Sequence, residues 1–98
     1  MKILSIGKPK ESLLSLPPDK QKELTEASLK TNKKMRGEGK VIANYISPTS
    51  GYVFTILDYD TTEEWMKDIM SSPILNYYDQ ETHPVVDFDD AMKIAGMT

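Results

Sequence analysis

From Ser72 to Asp87 the chain reads Ser-Pro-Ile-Leu-Asn-Tyr-Tyr-Asp-Gln-Glu-Thr-His-Pro-Val-Val-Asp, and no other stretch constrains the fold as tightly. Pro73 cannot continue a helix, because it lacks an N–H and its ring collides with the preceding turn. The residues beyond it alternate as in a strand, where successive side chains point to opposite faces. The chain must therefore pass from helix to strand here, with Tyr77, Asp79, Glu81 and His83 on one face. His83 is its single histidine.

The segments upstream can be ordered around this transition. Lys2 to Gly7 is apolar and β-branched and reads as a first strand. Lys8 to Leu16 holds Leu13, Leu14 and Leu16 between Pro9 and Pro17, so these leucines either pack over the core edge or form a lid on a pocket. Pro17-Pro18-Asp19 opens a helix, since proline suits the first helical position and an early acid complements the helix dipole. That helix should run to about Met35 and stop at Gly37. Its inward stripe is Leu24, Ala27, Ser28, Thr31 and Met35. Ser28 and Thr31 either bond back to the i−4 carbonyl or line a cavity.

Lys40 to Ser47 and Tyr52 to Tyr59 read as two strands joined by Pro48-Thr49-Ser50-Gly51, an antiparallel hairpin. Simple alternation puts Val41, Ala43 and Tyr45 on one face and Ile42, Asn44 and Ile46 on the other. Thr61 starts a second helix, with Glu64 completing a capping box and Trp65, Met66, Ile69 and Met70 as its inward set. After the last strand, Asp87, Asp89 and Asp90 precede a short terminal helix over Ala91–Ala95.

The order strand, helix, strand, strand, helix, strand is the split βαβ pattern of a ferredoxin-like α+β sandwich. Right-handed crossovers place both helices on one face of a four-stranded antiparallel sheet. At 98 residues the chain reads as one domain, residues 1–98. Apolar residues on both faces of the middle strands leave an open face to cover, and a homodimer stacking two sheets covers it.

A formal charge of −3 argues against a nucleic-acid partner, which needs a clustered positive surface. The basic run Lys30 to Arg36 shares its helix with Glu23 and Glu26 and reads as a solvated face. With no cysteine, disulfides, thiolate metal sites and cysteine nucleophiles are excluded. The N-terminal apolar run is too short for a signal peptide and no stretch approaches the ~18 apolar residues of a membrane span. A cytoplasmic protein without membrane contact is expected. Phosphate loops, nucleophile elbows and metal-ligand spacings are missing from the sequence. Asp79, Glu81 and His83 would spread metal ligands along about 13 Å of strand at ~3.3 Å per residue, too far for one ion. Neither a metal nor a cofactor is expected.

The Leu-Pro-Pro-Asp helix opening, Arg36-Gly37-Glu38-Gly39-Lys40-Val41, Val53 to Asp60 before an acidic capped helix, and Pro73-Ile74-Leu75 running into Tyr77-x-Asp79-x-Glu81 together resemble the muconolactone isomerase-like family of the dimeric α/β-barrel superfamily. The resemblance covers nearly the whole chain, and its last part is the most specific. It implies a ferredoxin-like fold and a dimeric α/β-barrel assembly. Where the isomerases carry Trp, Arg and His around the second strand, this chain has Val41, Ala43 and Asn44, so the substrate does not transfer. The superfamily also holds polyketide cyclases, cofactor-free monooxygenases and haem-degrading enzymes.

Isomerising a lactone or steering an aldol cyclisation needs a base near the acidic C–H and a donor for the enolate oxygen. His83 is the candidate base, with Glu81 holding its tautomer, unless His83 simply hydrogen-bonds at a subunit interface. Tyr45 and Tyr77 are candidate donors, and Tyr52, Ser28 and Thr31 join them as candidate contacts to a small, hydrophobic, oxygenated ligand. The expected function is a cofactor-free isomerase or cyclase. The alternatives are a non-catalytic binding or accessory protein, or a cofactor-free or haem-linked monooxygenase.

Overall fold

The computed structural model describes residues 1–96. In chain order these form β1 (Lys2–Pro9), a one-turn α1 (Glu11–Leu14), α2 (Pro18–Gly37), β2 (Val41–Ile46), β3 (Val53–Asp58), α3 (Thr62–Met70), a 3-10 turn (Leu75–Tyr77), β4 (Tyr78–Val85) and α4 (Phe88–Ile94). The strands make one four-stranded antiparallel sheet in the order β2-β3-β1-β4. Its architecture is α+β, and its connectivity is compatible with a ferredoxin-like fold.

The helix boundaries follow local chemistry. Pro18 opens α2, with Asp19 in its first turn and Lys34 and Arg36 in its last. Beyond it Gly39 takes a φ of 74°, and the Lys40 N–H donates to the Met35 carbonyl at 2.9 Å, closing the helix end. The Thr61 hydroxyl accepts the Glu64 N–H at 3.2 Å to start α3. The Asp87 carboxylate caps α4 by accepting the N–H groups of Asp89 and Asp90 at 2.9 and 3.3 Å.

Three local readings are corrected. First, β2 does not alternate simply: Val41 pairs with Leu57 and Ala43 with Ile56, so Ile42 is the extra residue of a bulge. The bulge turns Val41, Asn44 and Ile46 to one face and leaves Ala43 and Tyr45 on the other. Second, Tyr77 ends the 3-10 turn instead of beginning the strand, so it does not belong to the alternation of Asp79, Glu81 and His83. Third, Trp65 and Ile69 turn inward from α3 while Met66 and Met70 are exposed. The leucine segment forms α1 and is tied to α2, because the Gln21 amide donates to the Leu14 and Leu16 carbonyls at 3.2 and 2.9 Å.

Helices α2 and α3 lie over the same sheet face. Ile3, Val41, Leu57 and Tyr59 are the buried apolar side chains there, and Met35 of α2 and Trp65 of α3 pack against them. This core occupies one end of the helix–sheet layer. The opposite sheet face carries Leu4, Ile6, Phe54 and Ile56, and none of the described helices lies over it. The principal extents are 54 × 28 × 19 Å and the radius of gyration is 15.4 Å. A compact chain of this length has about 13 Å. No described helix is long and apolar enough to cross a membrane.

Candidate functional site

Where the small core stops, α2, α3 and the sheet enclose a cleft of about 360 Å³. That is within the range of small-molecule sites. Its walls are Ser28, Leu29, Thr31, Asn32 and Met35 of α2 and Trp65, Asp68 and Ile69 of α3; Ile74, Leu75, Tyr78 and Gln80 close one side. Strand pairing builds the floor in rows, because residues directly opposite one another share a face. Ile3 and Leu57 pair in an apolar row, and Gly7 and Val53 pair in another. Between them runs a polar row, Asn44–Thr55–Ser5, set by the pairings Asn44↔Thr55 and Ser5↔Thr55. The Thr55 hydroxyl donates to Asn44 Oδ1 at 2.9 Å, and the Ser5 hydroxyl donates to Gln80 Oε1 at 3.0 Å.

A polar band across the covered face of a sheet contributes little to a core, since each group must be hydrogen-bonded to offset its desolvation. As the floor of a cleft it supplies fixed hydrogen-bonding positions in an apolar surround. Gly7 fits this setting: a Cβ there would come 3.3 Å from the Tyr78 ring and 3.4 Å from the Gln80 amide. A larger residue would press directly on the Tyr78 wall.

One end of the cleft is ionised. Asp68 accepts a hydrogen bond from the Tyr59 hydroxyl at 2.8 Å and an ion-paired one from Lys40 Nζ at 3.1 Å, and Lys40 also meets Glu38 at 3.1 Å. Partial burial pushes the Asp68 carboxyl up, but the Tyr59 and Lys40 hydrogen bonds and the nearby Lys40 and Lys34 charges outweigh it and hold the pKa below the usual value. Tyr59 is pushed well above the ordinary phenol range, by burial first and then by the Asp68 carboxylate it donates to. Lys40 is raised through its bonds to Asp68 and Glu38. Asp68 thus stays ionised and Tyr59 protonated across neutral pH.

Of the residues singled out from sequence, Ser28 and Thr31 line the cleft. Thr31 donates to the Ala27 carbonyl at 3.1 Å, whereas the buried Ser28 Oγ has no partner. His83 and Glu81 do meet, at 3.2 Å, but as an exposed pair on the open sheet face, where His83 pairs with Leu4 and Glu81 with Ile6. Tyr45 is exposed on that same face opposite Phe54. Tyr52 stacks under the Lys8 ammonium, 5.6 Å from its ring centre. Tyr77 accepts the Lys10 N–H on its carbonyl at 2.9 Å and stands outside the cleft lining. The expected site therefore divides between two faces of one sheet.

Sequence reasoning missed Ser5, Asn44, Thr55, Tyr59, Asp68 and Gln80. The signal was present in the strands: small polar residues at Ser5 and Thr55 stand in phase with Ile3 and Leu57, on the face that ought to be wholly apolar. Trp65 was read as core; it packs on the core and also lines the cleft, with its buried Nε1 unpartnered. No group of three potential metal ligands gathers among the described residues. No protein-family model matches the chain, and no curated protein matches it.

Proposed function

We propose that this chain binds a small, largely apolar, oxygenated molecule in the cleft between α2, α3 and the sheet, and that it does so as a homodimer on a muconolactone isomerase-like scaffold. The observation that carries the binding reading is the cleft itself: about 360 Å³ of space floored by a polar band in a layer that a simple sandwich would fill with aliphatic side chains. The homodimer is supported by the apolar residues Leu4, Ile6, Phe54 and Ile56, which form the middle of a sheet face that no described helix covers. It is also supported by α4, whose Phe88 and Ile94 are 72% and 83% exposed. Such surface on a small domain is removed from water by a second copy.

A second reading, a cofactor-free isomerase or cyclase working by proton transfer, draws on Asp68 and Tyr59. These put a carboxylate and a phenol 2.8 Å apart on the cleft lining. In that reading they, and not the outlying His83 and Glu81, would act on the bound molecule. The depressed pKa of Asp68 makes it a weak base, so binding is the stronger reading.

The test is a fluorescence titration with N-phenylnaphthylamine, a neutral apolar probe, on the wild type and on Thr55→Trp, which fills the cleft floor. Saturable binding lost in Thr55→Trp, with the circular dichroism spectrum retained, is the expected result. If the variant unfolds, Ser28→Leu serves the same purpose from the opposite wall. Equal binding by the wild type and a folded cleft-filling variant would refute the site.

A further inference from the structure

We propose that the molecule held in the cleft carries a hydroxyl group and donates its proton to the middle of the cleft floor, between Thr55 and Ser5. This rests on the cleft being a ligand site, and it specifies what that site selects.

The direction of two hydrogen bonds carries the inference. Thr55 and Ser5 stand directly opposite each other on β3 and β1, the two central strands, and both line the cleft. Side chains paired in this way have Cβ atoms about 4.5–5.5 Å apart, close enough for two hydroxyls to bond each other. Neither proton is used so here. Thr55 donates outward to Asn44 Oδ1 on β2 at 2.9 Å, and Ser5 donates outward to Gln80 Oε1 on β4 at 3.0 Å. A hydroxyl has one proton to give and two lone pairs with which to accept. With both protons committed toward the sheet edges, the middle of the floor offers acceptors alone.

The flanking carboxamides complete the pattern. Asn44 and Gln80 accept through oxygen, which leaves their NH2 groups as donors. Gln80 Nε2 stands over Gly7, 3.4 Å from where a Cβ would lie, so it borders the same floor. From Asn44 to Gln80 the order is donor, acceptor, acceptor, donor. These groups are within reach of a guest, because Ser5, Thr55 and Asn44 are only half-buried and Gln80 is exposed. A guest hydroxyl donates to a central oxygen and accepts from a flanking NH2. A ketone oxygen can use only the NH2, and over the middle it sets lone pair against lone pair.

The charge of the donor follows from the rest of the wall. Among the described residues the lining includes no Lys, Arg or His, and its one carboxylate is Asp68, whose charge is already met by Lys40 at 3.1 Å. An ionised guest of either sign would be desolvated without a free counter-charge, which is unfavourable. The donor is therefore a neutral hydroxyl and not an ammonium group.

Four bicyclic probes of one shape separate these features: tetralol, tetralone, the hydrocarbon tetralin, and aminotetralin. Each is titrated calorimetrically into the full chain. Tetralol is expected to bind about three- to tenfold more tightly than tetralone, the range of one net neutral hydrogen bond. Thr55→Val and Ser5→Ala each remove one central acceptor and should narrow that preference, and the double variant should abolish it. A residue that only shapes the floor would change the four affinities together. If Thr55→Val unfolds, Ser5→Ala serves alone. Equal affinity for tetralol and tetralone, or a preference undiminished in every folded variant, would overturn the hydroxyl inference while leaving the cleft as a site. So would failure of tetralol to bind where N-phenylnaphthylamine does. Aminotetralin binding as tightly as tetralol would overturn the choice of a neutral donor. Failure of all four probes and of N-phenylnaphthylamine would overturn the binding reading itself.

Discussion

Tyr59→Phe isolates the bond that ties α3 to the end of the sheet. Tyr59 is 2% exposed, and its hydroxyl donates to Asp68 at 2.8 Å. The substitution keeps the ring in the core and removes only that donor, while Asp68 retains Lys40 at 3.1 Å and is not left as an uncompensated charge. A hydrogen bond to a charged acceptor contributes about 1.5–3 kcal/mol, so the variant should lose that much at pH 7. For a domain of this size that is a fall in Tm of roughly 6–24 °C. The assay is urea unfolding followed by the fluorescence of Trp65, the single tryptophan. The effect should depend on pH in a defined direction. The folded-state pKa of Asp68 lies below its ordinary value of 3.8. Stability from its ionised form is therefore complete above 3.8 and is lost as pH falls through the lower folded-state value. In that acid range the bond becomes a neutral one, and the gap between wild type and variant should narrow to about 1 kcal/mol or less. A variant within about 0.5 kcal/mol of wild type at pH 7 would refute the assignment of the Tyr59–Asp68 bond as a tie between α3 and the end of the sheet.

Ile56→Lys, placed in the middle of the open sheet face, should convert a dimer in sedimentation equilibrium into a monomer, with the monomer's circular dichroism unchanged; a wild type that sediments as a monomer would remove the homodimer. His83→Ala should leave probe binding in the cleft unchanged and shift stability by no more than about 1 kcal/mol, because the Glu81 pair is exposed; loss of binding would draw the open face into the site. Thr61→Ala should cost about 1 kcal/mol in urea unfolding through the lost cap on the Glu64 N–H, and an unchanged midpoint would mean that α3 does not need it.

The course of the chain was legible because its punctuation is local. Pro18, Thr61 and Pro73 act within a turn of themselves, and each sits at the boundary it signals; α4 instead begins at Phe88, three residues before the expected Ala91, because Asp87 caps it and Asp89 and Asp90 form its first turn. The order and antiparallel pairing of the strands followed from that punctuation together with general rules for connections. The bulge at Ile42 was not legible, because nothing in Val41-Ile42-Ala43 announces an extra residue. That one residue decides whether Asn44 faces the cleft or the open side. The candidate residues divide between the two sheet faces for a related reason: His83 and Glu81 do pair, but the phase that carries Asp79, Glu81 and His83 together with Leu4 and Ile6 belongs to the open face. The quieter signal was Ser5 and Thr55, polar residues in phase with the core. Asp68 escaped notice because its partners Lys40 and Tyr59 are 28 and 9 residues away in the chain.

A crystal structure of the full chain grown with saturating N-phenylnaphthylamine tests most directly whether the cleft between α2, α3 and the sheet is a ligand site. The predicted result is ordered ligand density inside the cleft, resting over Thr55. A cleft closed by inward movement of Trp65, or the probe bound only on the open sheet face, would contradict it.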